Sequence, residues 1–170
     1  MTEELVHSFV DFFRSKIPDE LLIFIISMLP ILELRGGLIA AALLDVNLFF
    51  AFPICVIGNM LPIPFVLLFI RKIFELLKKT RLFSKLITKL DTKAKEKANS
   101  KTMLKYKAWG LFLFVAIPLP GTGAWTGALV ADVMDTRIKT AFPLITAGVI
   151  SAGLIMAFIS YGIPAIINML

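Results

Sequence analysis

Glu33 and Arg35 stand two residues apart inside an otherwise apolar stretch, with Gly36 and Gly37 directly behind them. An ionised side chain within a bilayer costs about 3 kcal/mol or more on insertion scales, so such groups are expected to face a cavity or a partner. A carboxylate there can take up and release a proton, because removal from water penalises its charged form. An arginine keeps its charge and offers a planar fork suited to phosphate or carboxylate. In an unwound turn the two need not neutralise each other. The plainer reading is an ion pair or helix cap that closes a hairpin.

A second unusual string, Pro118 to Gly127, reads Pro-Leu-Pro-Gly-Thr-Gly-Ala-Trp-Thr-Gly. It carries no charge, but Pro120, Gly121 and Gly123 open the backbone, and Thr122 and Thr126 add hydroxyls. A helix beginning after it would aim its positive end inward, a suitable place for an anion. The two strings are related. Residues 21–70 fall without a gap on residues 111–160, with Pro30/Pro120, Gly37/Gly127, Asp45/Asp135, Pro53/Pro143 and Gly58/Gly148 among the identities. Trp125 then stands opposite Arg35, where it could stack on that guanidinium or on a substrate cation. Repeats in a hydrophobic chain recur in secondary transporters, whose sites lie where the repeats meet. The candidate substrate- or ion-binding set is therefore Glu33, Arg35, Gly36, Gly37, Pro120, Gly121, Thr122, Gly123, Trp125 and Thr126. Asp45 and Asp135 are most simply caps of the helices that follow them. Asn59, whose counterpart is Val149, would bond across helices or line a path.

Other chemistry finds little footing. One histidine, His7, and one cysteine, Cys55, leave no metal set and no intrachain disulfide. No nucleophile–base pair or metal-ligand set appears, so an enzyme is not expected, and no cofactor is called for beyond a coupling proton. The net charge of +6 does not mark a nucleic-acid binder, because 13 of the 18 Lys and Arg residues fall between Arg71 and Lys107. A basic tract directly after an apolar span marks the cytoplasmic side and can rest on anionic lipid.

The elements that must position these residues are helices in a bilayer. Apolar residues make up 58% and charged residues 18%, against about 45–50% and about 25% in soluble domains. Residues 3–17 predict an interfacial amphipathic helix with Leu5, Val6, Phe9, Phe12 and Phe13 on one face. No cleavable signal is expected there, since Glu3 and Glu4 replace a basic leader. Residues 21–44 are long enough to cross, yet Pro30, Glu33, Arg35, Gly36 and Gly37 crowd the middle. This predicts a re-entrant hairpin broken at 30–37. Residues 48–70 are a span, and 71–108 a basic linker with Phe83, Leu86, Ile87 and Leu90 on one face. The second unit copies the first, with its break at 118–127 and a span over 140–160.

Two layouts fit. If each unit is a hairpin plus one span, the repeats are inverted, the basic tract lies inside and both termini outside. Five acids against two bases in residues 1–20 agree. If 21–44 and 111–134 cross fully, four spans result. The glycine-rich breaks favour the inverted layout. The expected fold is thus an all-α integral membrane protein of one domain. It comprises an amphipathic helix (1–20), repeat one (21–70), a cytoplasmic linker (71–108), and repeat two with its tail (109–170).

The strings Glu33-Leu34-Arg35-Gly36-Gly37 and Pro118 to Gly127, in a basic chain of two repeats, resemble the small multidrug export proteins of bacteria and archaea. That family is in turn similar, more distantly, to the DedA (VTT-domain) membrane proteins. The resemblance implies a multi-pass protein of a prokaryotic cytoplasmic membrane with two inverted repeats. It implies a proton-dependent exporter of small molecules or, on the DedA side, a polyprenyl-phosphate or other lipid translocase. Glu33 sits where DedA proteins keep an acid, and Pro120-Gly121 resembles their second motif, without the arginines found around it. A scaffold that transports nothing is the remaining alternative. The expected partners are the bilayer, a small-molecule or lipid substrate and a second copy of the chain, with no nucleic acid.

Overall fold

A computed structural model describes residues 2–13, 16–69, 101–119, 121–163 and 166. Among these the structure is helical, without a strand. The elements are α1 (Thr2–Phe13), α2 (Asp19–Met28), α3 (Glu33–Leu43), α4 (Leu48–Met60), α5 (Lys101–Ala116), α6 (Ala124–Val133) and α7 (Ile138–Ala157). A π-helical turn, Phe158–Gly162, extends α7. Most of the basic tract, 71–100, and Pro120 lie outside the described residues.

The order helix, break, helix, turn, long helix therefore occurs twice, as α2–α3–α4 and α5–α6–α7. Asp19 and Glu20 open α2, where acids suit the positive end of a helix. After a bend at Leu61-Pro62, helix resumes, giving an apolar stretch Leu48–Phe69 of 22 residues. Ile138–Gly162 gives a second of 25 residues. At 1.5 Å per residue these reach about 33 and 37 Å, enough to cross a hydrocarbon core of about 30 Å. The other helices are shorter than that thickness.

Each unit is held by a glycine at the same place. A Cβ on Gly58 would come within 2.7 Å of the Phe24 carbonyl, and one on Gly148 within 2.7 Å of Val115 Cβ. These contacts seat α4 on α2 and α7 on α5. Small residues that admit close backbone approach are how helices associate where lipid removes the hydrophobic drive. The two units meet along α7, where Gly153 lies against Leu34 of α3 and Phe52 of α4.

The first break is shorter than the sequence predicts. It is confined to Leu29–Leu32, and α3 begins at Glu33, so Gly36 and Gly37 are helical. Their role is packing. A Cβ on Gly36 would lie 2.6 Å from Leu32 Cβ, and one on Gly37 would collide with the Ser27 hydroxyl. α5 begins at Lys101, inside the stretch assigned to the linker. In α1, Val6 and Val10 face the core against α3, while Leu5 and Phe12 point outward. Lys16 Nζ sits 3.7 Å from the centre of the Phe12 ring.

The ends of α7 locate the two interhelix turns. The Tyr161 hydroxyl donates to the Val46 carbonyl (2.9 Å), placing the α3–α4 turn at the C-terminal end of the long helix. The α6–α7 turn leads into its N-terminal end, where Lys107 Nζ donates to the Met134 carbonyl (3.1 Å).

Candidate functional site

Glu33 is the first residue of α3 and is 7% exposed. Its φ of 50° is left-handed, which costs a non-glycine residue about 1–3 kcal/mol and persists only where its surroundings demand it. The carboxylate reaches across to the other unit. Glu33 Oε1 accepts from the Trp125 amide at 3.3 Å, and the Ala124 amide joins it. These belong to the first turn of α6, whose amides have no partners within their own helix. Gly123 precedes them. Its backbone is extended and open to any residue, but a Cβ there would collide with the Glu33 carboxylate. The glycine is required by approach, not by conformation.

Arg35, half-buried, serves the other side of the same break. Its guanidinium donates to the Leu119 carbonyl, just past the end of α5, and Nη2 donates to Thr122 Oγ1 at 3.2 Å. Thr122 in turn donates to the Ile117 carbonyl (2.7 Å) and accepts from the Leu119 amide (3.1 Å), tying the break into a compact loop. Gly121 completes it with φ 85°, a conformation natural to glycine. The negative member of the pair thus meets the positive end of α6, and the positive member meets the carbonyls beyond α5. Both orientations are favourable.

The structure therefore brings Glu33, Arg35, Thr122, Gly123 and Trp125 together. Thr126 bonds back to the Gly123 carbonyl at 3.4 Å. The Trp125 ring forms one wall of an apolar cavity of about 330 Å³ with Leu61, Pro62, Phe65 and Phe69. Its Nε1–H is buried without a partner among the described residues. Asn59 is fully buried in α4, and its Oδ1 also lacks a partner there. The break Pro118–Gly127 of the sequence reading shortens to 117–123, because α6 begins at Ala124.

Asp45 and Asp135 do not cap the helices that follow. Asn47 caps α4, its Oδ1 accepting from the Phe49 amide at 2.8 Å, and Arg137 holds the corresponding place before α7. The aspartates instead end α3 and α6, with φ 55° and 50°. Val46 N bonds to the Ala41 carbonyl and Asp45 N to Ala42, and Thr136 to Ala131 and Asp135 to Asp132 repeat the pattern. This is a Schellman termination, in which the left-handed position takes glycine first and small polar residues next.

The partners of Glu33 and Arg35 were not legible as residues, because amides and the Leu119 carbonyl leave no mark in a side-chain pattern. Tyr161, a phenol in an apolar tail, is the one sign in the sequence of the contact with Val46.

A family model described as "Putative small multi-drug export protein" matches residues 33–155. The chain belongs to this family. The match begins at Glu33 and runs through the second break to α7, so the contacts of Glu33 and Arg35 with the second unit lie inside it. No curated protein and no solved structure matches the chain. Together with two helices able to cross a bilayer, membership in the small multi-drug export family marks a membrane protein.

Proposed function

We propose that this protein is a secondary transporter that exports small molecules, with its central site between the two breaks and Glu33 carrying a coupling proton. The observation that carries the reading is the Glu33 carboxylate on the first-turn amides of α6, in the opposite repeat. Two further facts support re-entrant hairpins of opposite orientation. α3 and α6 begin side by side and end at turns on opposite ends of α7. Their 11 and 10 residues give about 16 and 15 Å, which together match a hydrocarbon core of about 30 Å.

The energetics suit a switch. Burying the charge costs a few kcal/mol, and each hydrogen bond to a charged group returns about 1.5–3 kcal/mol. The two are close to balance. A proton added to Glu33 removes its attraction to the α6 terminus and loosens the contact between repeats. Its departure restores the contact. Arg35 holds the break closed meanwhile and presents the positive charge of the site. In proteoliposomes with an imposed proton gradient, wild type should move a fluorescent amphiphilic dye. Glu33→Gln should insert normally and move none, and full activity in Glu33→Gln would remove Glu33 from the mechanism.

A lipid translocase is the second reading, favoured by the apolar cavity at the α4 bend, whose Leu61, Phe65 and Phe69 are exposed on the apolar surface. The same proteoliposomes decide it, since scrambling of labelled lipid without dye movement would select that reading.

A further inference from the structure

At the end of α7 where Tyr161 meets Val46 lies an open hollow of about 450 Å³. Asp45, Asn47, Ser160 and Tyr161 give it a carboxylate, an amide and two hydroxyls, and Ala42 and Leu48 supply apolar wall. Tyr161 spends its hydrogen on the Val46 carbonyl, so its oxygen is left to accept. Asp45 is exposed at the end of α3, at a left-handed position. The π-turn carries both hydroxyl residues, and such turns recur at functional sites. Among the described lining residues the formal charge is one carboxylate and no base.

The corresponding turn of the second repeat has the opposite character. It carries Asp132 and Asp135, but Lys107, Arg137 and Lys139 outnumber them, and Lys107 occupies the Met134 carbonyl. Two ends of related build thus differ in sign, and the difference is in side chains rather than fold.

We propose that the hollow binds an organic cation, an ammonium group with an apolar body. The carboxylate and the hydroxyl oxygens take the charge, and Ala42 and Leu48 take the body. Its role as the exit vestibule of the transport path rests on the exporter reading; the binding itself does not.

The test uses a single cysteine at Val46, a lining residue whose side chain is given no part in holding the cation, in a Cys55→Ser background, labelled with a maleimide that cannot cross the membrane. Phenethylammonium should slow labelling saturably, and 2-phenylethanol, of the same shape without the charge, should not. Asp45→Asn keeps a residue that tolerates the left-handed position. It should weaken protection roughly fivefold, as loss of a part-exposed ion pair does. Equal protection by the alcohol, or protection unchanged in Asp45→Asn, overturns the proposal. Should the cysteine variant fail to reach the membrane, equilibrium dialysis of radiolabelled phenethylammonium against wild type and Asp45→Asn makes the same comparison. Glu33→Gln should keep the protection while losing transport. Protection in a wild type that moves nothing would reject the exporter and leave the site standing.

Discussion

Glu33 and Gly123 occupy equivalent places in the two repeats, 90 residues apart, and they are in contact. A Cβ on Gly123 would collide with the Glu33 carboxylate, so the contact has room for one side chain. This explains why the acid has no acidic counterpart. Gly123→Ala should destabilise the protein by about 1–3 kcal/mol, the usual penalty for overpacking, read as a lower unfolding temperature in detergent. Glu33→Ala together with Gly123→Ala should regain much of that loss without regaining transport, since the collision is gone and so is the carboxylate. A double-mutant cycle separates these effects because the two residues touch. The charged pair was plain in the sequence for an elementary reason: ionised groups are rare and costly in apolar surroundings. Its geometry was not, because the groups that receive it are main-chain atoms of a segment more than 80 residues away.

The helices followed the apolar pattern closely, and both breaks were found at their prolines. Their lengths were overestimated. Paired glycines read as loosened backbone, yet in a bilayer glycine also lets helices touch, and at Gly37 the neighbouring Ser27 shows that packing won. The aspartates were misjudged for a related reason. Asp suits a helix start and tolerates a left-handed helix end, and spacing alone does not separate these uses. The left-handed assignment has a measurable consequence at Asp135. Asp135→Ser and Asp135→Val should each cost about 1–2 kcal/mol, since side chains other than those of Asn and Asp are strained at positive φ. Thermal unfolding of Asp135→Ser distinguishes a helix terminator from an N-cap, where serine serves as well as aspartate.

For the molecule entire, the orientation proposed for the repeats fixes the membrane face at which each long helix starts. Phe49 and Lys139 are equivalent residues at the starts of the two long helices, and both are exposed. Cysteines placed there singly, in the Cys55→Ser background, should react with an impermeant maleimide from opposite faces of oriented membrane vesicles. Reaction from one face would mean that both units cross in parallel, and the central site would lose its basis. The basic end carrying Lys107, Arg137 and Lys139 should be the cytoplasmic one.

The missing Cβ of Gly123 also governs how the halves recognise each other. A first half paired with its own copy would set a second glutamate where Gly123 now leaves room, and there like charges repel and two side chains compete for one space. A second half paired with its copy would leave the amides of α6 without an acceptor. Only unlike halves complete the contact. Severed within residues 71–100 and expressed as two polypeptides, the chain should therefore reassemble as a one-to-one pair of unlike halves, detectable by co-purification through a tag on either piece. On that outcome the single chain would behave as a heterodimer whose unlike halves are covalently joined.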